Sequence, residues 1–142
     1  VVDESATLDL DPVADGDGAV RIAMNLAPPT APILPRHVAV RVENAIDAAR
    51  AARDRGLAFL AIPANYYDDL DARFGLDPEL LTQLRELNLL YDRDETGSFI
   101  HFYTPIIGDV FFEIVERRGA YDGYGAASAP VRLAAQRSNG QR

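Results

Sequence analysis

Between residues 98 and 119 the chain reads SFIHFYTPIIGDVFFEIVERRG, two runs dense in Phe, Tyr, Ile and Val that meet at a turn holding Pro105 and Gly108. Aromatic and β-branched residues suit the pleated, half-buried surface of a sheet. Residues 98–104 and 109–116 are therefore predicted as neighbouring antiparallel strands. Every second side chain of a strand shares a face. If Thr104 lies opposite Val110, His101 lies opposite Glu113, and directly opposed residues carry Cβ atoms about 4.5–5.5 Å apart. An imidazole and a carboxylate are thus set side by side in a run that is otherwise apolar. An ionised carboxylate among apolar neighbours is costly unless it is paired or coordinated, so Glu113 needs a partner.

The rest of the chain supplies the elements around this pair. Residues 36–42 (RHVAVRV) alternate like a strand, with His37, Ala39 and Arg41 on one face. Asn44 is placed to cap a helix running to Arg55, with Gly56 as its stop. LAFLAI, residues 57–62, reads as a short buried strand closed by Pro63. A helical insertion follows: Asn65 caps a turn carrying Tyr66, Tyr67 and Leu70, and Asp77-Pro78 opens a helix with Leu80, Leu81, Leu84 and Leu87 along one side. Leu89, Leu90 and Tyr91 lead into the polar turn DRDETG. After Gly119, AYDGYG reads as loop and residues 130–136 as a short helix before a frayed end.

Upstream, residues 7–11 and 19–26 alternate about an Asp- and Gly-rich turn, the pattern of a β-hairpin. Residues 27–35 hold four prolines in nine positions, an extended connector. The expected organisation is a hairpin and connector over 1–35, the tail of a preceding module, then an α+β module of βαβββ type over 36–142. One four-stranded sheet covered by one helix leaves a face open, so a partner is expected, either a preceding module or a second copy.

Composition narrows the chemistry. The 142 residues contain no cysteine, which excludes disulfides, thiolate metal sites and a cysteine nucleophile; a metal would be held by His, Asp, Glu or backbone. The net charge is −8 and the fourteen cations are all Arg, dispersed among acids, which argues against nucleic acid. No apolar run approaches the roughly 20 residues that span a bilayer, and the N-terminus lacks a signal-peptide layout. A cytoplasmic protein without membrane contact is expected. The chain opens VVDES without an initiator Met, as a piece of a longer protein would.

The chain's two histidines, His37 and His101, join Glu113 as candidate ligands of one divalent metal. Two imidazoles and a carboxylate on one face suit non-haem Fe(II) and leave positions open for substrate and oxygen. The competing reading makes the histidines hydrogen-bonded core residues and pairs Glu113 with an arginine such as Arg41. Other motifs are weaker. Asp92, Asp94, Thr96 and Gly97 echo the start of a calcium loop, but the closing position falls on Tyr103, so a hairpin turn is expected. The GYG at 123–125 lacks the third glycine and preceding strand of a dinucleotide site, and Tyr66-Tyr67 reads as packing.

RHVAVRV before a helix, AIPANYYDDL, ELNLLYDRDETGSFIHFYT, FFEIVERRG and GYGAASAPVRLAAQ resemble, in that order, the C-terminal half of 4-hydroxyphenylpyruvate dioxygenase, of the vicinal-oxygen-chelate superfamily. NYYDDLDARF, HFYT and APVRLAA are more similar still to the dioxygenase-like domain fused to bacterial 3-dehydroshikimate dehydratases. The resemblance implies Fe(II) held by His37 and Glu113, with a further family histidine in a preceding module, and a 2-oxo acid or aromatic acid as substrate. His101 stands where the dioxygenases carry a glutamine used at the substrate, and is the candidate catalytic residue, as ligand or as hydrogen-bond partner of a bound oxo acid. Ala127, Ser128 and Ala129 replace a Gly-Asn-Phe stretch, so the family's aromatic clamp is missing. The alternative the resemblance leaves open is a non-catalytic C-terminal domain of a bifunctional dehydratase, serving assembly or regulation.

Overall fold

The computed structural model describes residues 36–140, within the unit that runs from Pro35 to Arg142; the hairpin and connector expected upstream lie outside the described residues. The elements are β1 (Arg36–Arg41), α1 (Ala45–Asp54), α2 (Ala64–Phe74), α3 (Pro78–Leu87), β2 (Leu90–Arg93), β3 (Gly97–Tyr103), β4 (Val110–Gly119), a 3-10 turn (Ala126–Ser128) and α4 (Ala129–Gly140). The strands form one sheet in the order β1-β4-β3-β2, with β1 parallel to β4 and the other pairs antiparallel. The βαβββ order holds, with one change of membership.

The second strand is Leu90–Arg93 and not the predicted 57–62. Both edges of β3 are occupied, by β4 on one side and by β2 opposite residues 98–101 on the other. What remains for LAFLAI is the end of β3: Leu60 N–H donates to the Tyr103 carbonyl at 2.9 Å, and Ile62 N–H to Asn88 Oδ1 at 3.0 Å. Leu60 and Ile62 are buried, so the apolar pattern reported burial without a ladder. The β3–β4 register also differs, with Tyr103 and not His101 opposite Glu113. The connecting turn closes through an Ile107–Val110 bridge and Gly108 at a φ of 64°. A slip of two residues keeps every side chain on its face, whereas a slip of one would have reversed them all.

Local chemistry sets the helices. The Asn44 side chain accepts from Asp47 N–H at 3.0 Å to cap α1, and Asp77 caps α3 by accepting from Glu79 and Leu80 with Pro78 behind it. α2 begins one residue before the expected Asn65 cap, without a side-chain cap. α4 extends to Gly140, beyond the predicted 136, and no helix among the described residues is long and apolar enough to cross a membrane.

Ala45, Ile46 and Ala49 of α1 and Leu84 and Leu87 of α3 share one buried core with Ile100 and Phe102 of β3. The other face carries Phe99, His101 and Tyr103 beside Phe111, Glu113 and Val115. It is partly covered too: Tyr121 stacks on Phe99 with ring centres 5.3 Å apart, and Arg132 of α4 reaches the Tyr103 and Phe111 rings. Arg117 lies over Phe99 at 4.9 Å and donates to the Tyr121 and Gly123 carbonyls, fastening the 120–125 loop to β4.

Two buried groups make the packing testable. Glu116 accepts from Ala45 N–H at 2.8 Å and from Arg118 Nε at 2.5 Å, so it supplies an anionic cap to α1 from the sheet. Glu116→Ala is expected to lower unfolding free energy by about 2 kcal/mol in urea titrations, with no change in m-value. Tyr121 donates to Asp92 at 2.7 Å and accepts from Gly125 N–H at 3.2 Å; burial, then the Asp92 carboxylate, push its phenol up to about 12. The unfolded phenol ionises near pH 10, so this contribution is fully present below that pH and is lost as pH rises towards about 12. Stability measured across that window is expected to fall, and Tyr121→Phe to shallow the fall.

Candidate functional site

Glu113 is the hub of the second face because β4 lies between the two histidine-bearing strands. β1 pairs His37 with Phe111, two residues before Glu113, and β3 sets His101 two residues before Tyr103, which is opposite Glu113. Strand parity therefore turns all three side chains inward to one spot. His101 Nδ1 is 2.6 Å from Glu113 Oε1, and His37 Nε2 is 3.3 Å from Oε2. Glu113 is 5% exposed and His101 is completely buried, while the His37 side chain is 42% exposed. His37 is thus the rim of the site and His101 its floor.

Burial works to raise the Glu113 pKa, but hydrogen bonds from His101 and His37, with their charge, outweigh it and pull the group down to about 2. An ionised carboxylate is an acceptor only, so the facing nitrogens, Nδ1 of His101 and Nε2 of His37, carry the hydrogens. His101 Nε2 is then left buried without a partner. Its ring packs against Phe99 at 4.6 Å and Tyr103 at 5.2 Å. Gly125 covers it: at a φ of 63°, a Cβ there would meet Phe99 Cε1 at 2.7 Å and His101 Cε1 at 3.2 Å, so only glycine lets the loop sit this close. The His37 ring stacks on Phe111 at 5.1 Å and 20°.

The three predicted residues, His37, His101 and Glu113, are therefore brought together, through hydrogen bonds to one carboxylate. Among the described residues no three His, Asp or Glu side chains are grouped as a metal-holding set. The donor chemistry of His37 and Glu113 nonetheless suits a cation: their 3.3 Å separation is close to the roughly 3 Å between adjacent corners of an octahedron with bonds of about 2.1 Å. The pairing of Glu113 is with imidazoles and not with Arg41. Asp94 accepts from Thr96 N–H, Thr96 Oγ1 and Gly97 N–H, a closed turn with its carboxylate oxygen engaged. The Tyr66 hydroxyl donates to the Tyr91 carbonyl and accepts from Tyr91 N–H, tying α2 to β2.

Two further residues belong to the site and were not singled out from sequence. Tyr103 stands beside Glu113 and Arg132; burial and the Glu113 charge push its phenol up. Its position was available from strand parity, two residues past His101. Arg132 was not, since nothing local says which face of the last helix meets the sheet.

Comparison with known proteins places this architecture. The chain is 50% identical over 101 residues to a 3-dehydroshikimate dehydratase of Pseudomonas aeruginosa, covering 70% of this chain and 16% of that protein. It is 38% identical over 87 residues to a 4-hydroxyphenylpyruvate dioxygenase of the same organism, covering 59% of this chain and 24% of that one. Among solved structures, a xylose isomerase-like TIM barrel/4-hydroxyphenylpyruvate dioxygenase fusion protein superposes with a TM-score of 0.70 at 43% identity, over 73% of this chain and 17% of that one. A mutant 4-hydroxymandelate synthase from Streptomyces coelicolor gives 0.63 at 33% identity, over 73% and 30%. No family model matches the sequence. The chain spans 16% of the dehydratase and 24% of the dioxygenase. With its βαβββ order and sheet, the stretch from Arg36 onward is a dioxygenase-like module of the vicinal-oxygen-chelate fold, related to those of the 4-hydroxyphenylpyruvate dioxygenases and of the dehydratase fusions.

Proposed function

We propose that the module holds a divalent cation, Fe(II) by its resemblance, between His37 and Glu113, and receives a 2-oxo acid there. The observation that carries this reading is the nearly buried Glu113 carboxylate at the centre of the sheet face, with one oxygen turned to the partly exposed His37. When bound, Fe(II) supplies Lewis acidity and an open position for oxygen. The protein's own residues do the rest. His101 occupies Oε1, which fixes the carboxylate plane and leaves Oε2 facing His37, the role of an outer-shell partner. His37 and Glu113 would hold the ion, and His37 would do so as a neutral imidazole, since a histidine ligates without the proton on its ligating nitrogen. Phe111 behind the imidazole holds the ring in orientation.

A second reading is that the module is an accessory domain of a bifunctional dehydratase. It is favoured by two departures from the dioxygenase pattern, His101 in place of a glutamine and Ala127, Ser128 and Ala129 in place of Gly-Asn-Phe. Oxygen uptake with a panel of 2-oxo acids, in the natural polypeptide, separates the two: dehydratase activity without uptake supports the accessory role.

Metal analysis tests the first reading directly. One divalent ion per chain is expected after loading with Fe(II) under anaerobic conditions, and none in His37→Ala or Glu113→Ala. His101→Ala is expected to weaken affinity by roughly 10- to 100-fold without abolishing it, as losses of outer-shell partners do. Absence of bound ion in the unaltered protein contradicts the proposal.

A further inference from the structure

α4 brings one strong cation to the edge of this face. Arg132 is half-buried, with its guanidinium carbon 5.4 Å from the centre of the Phe111 ring and 5.8 Å from that of Tyr103. Those rings adjoin the site: Tyr103 is opposite Glu113 in register, and Phe111 stacks on His37. Yet no ion pair joins Arg132 to a carboxylate of the described residues.

One guanidinium nitrogen donates to Gln136 Oε1, a turn further along, at 3.0 Å. That bond orients the amide and leaves Gln136 Nε2 buried with no acceptor. A guanidinium carries five N–H donors and no acceptor. The α4 side of the site is thus a set of donors in excess of acceptors, with a planar cation kept in place by two aromatic rings. The ligand chemistry complementary to it is a carboxylate, which an arginine fork receives in two parallel hydrogen bonds. Ala127, Ser128 and Ala129, at the start of the same segment, offer no ring to an aryl ligand.

We propose that Arg132, assisted by Gln136, is the specificity-determining residue of the site: it receives a carboxylate of the ligand, so that the module selects carboxylic acids over neutral compounds of the same shape. This deepens the reading above. It rests on that reading for the location of the site and not for the metal.

The test therefore uses the full chain freed of metal with a chelator, titrated calorimetrically with pyruvate, 2-oxoglutarate and benzoate and with the methyl ester of each. At least one acid is expected to bind saturably, with its ester about tenfold weaker or more, the worth of a charge-assisted hydrogen bond or two. Arg132→Gln is expected to bring the acid to the level of its ester, and Arg132→Lys to fall between, while metal uptake through His37 and Glu113 is unchanged. Equal binding of acid and ester, full acid binding by Arg132→Gln, or no saturable binding of any acid overturns the proposal. If Arg132→Gln does not fold, the acid–ester comparison on the unaltered protein decides it. Metal binding without acid selectivity sinks this inference alone, and acid selectivity without metal binding sinks only the metal proposal.

Discussion

A carboxylate sits almost without solvent in the middle of an aromatic sheet, and the structure depends on how that charge is met. An unpaired buried charge costs on the order of several kcal/mol, and pairing it roughly returns the cost without a large surplus. Glu113 is met from both sides, by His101 at 2.6 Å and His37 at 3.3 Å. This requires β4 between β1 and β3, with β1 parallel to it and β3 antiparallel, in the registers observed. An apolar residue at 113 would serve packing as well. The ionic arrangement gains little stability over an apolar one, and that is the physical ground for proposing a binding role for it.

The His101 side of that arrangement is closely packed. Gly125 lets the loop lie against the Phe99 and His101 rings, Tyr121 holds Gly125 by its N–H, and Arg117 fastens the loop to β4 through two carbonyls. The imidazole cannot swing away without lifting this cover. Glycines at 123 and 125 that resemble a nucleotide motif are thus explained by close approach: a Cβ on Gly123 would meet the Tyr121 hydroxyl at 2.5 Å. Packing the supporting residue in this way keeps the Glu113 carboxylate within tight geometric tolerance.

Strand parity makes the convergence of His37, His101 and Glu113 legible in the sequence. The Thr104–Val110 pairing was displaced by two residues, which left His101 and Glu113 on the same face, so an imperfect register still gave the correct neighbours. Local signals also served where the chemistry is local: Asn44 and Asp77 cap helices, and Asp94 closes a turn. Inference failed where the answer depended on distant occupancy. LAFLAI has a strand's composition, but β2 had already taken the edge it needed. The cover over the second face was missed for the same reason, since Arg132 meets Tyr103 and Phe111 only after α4 folds back on the sheet.

The two halves of the carboxylate differ in a way that bears on function. Oε1 makes the short contact, 2.6 Å to a buried imidazole, and such charge-assisted bonds are strong and hard to exchange when water is excluded. Oε2 makes the long one, 3.3 Å to an imidazole that is 42% exposed on β1, an outermost strand among the described residues, beyond the usual range for a charge-assisted hydrogen bond. The carboxylate is therefore held firmly on one side and loosely on the other. The asymmetry puts the accessible side of Glu113 at His37 and its anchored side at His101, which is the geometry the proposed cation site relies on.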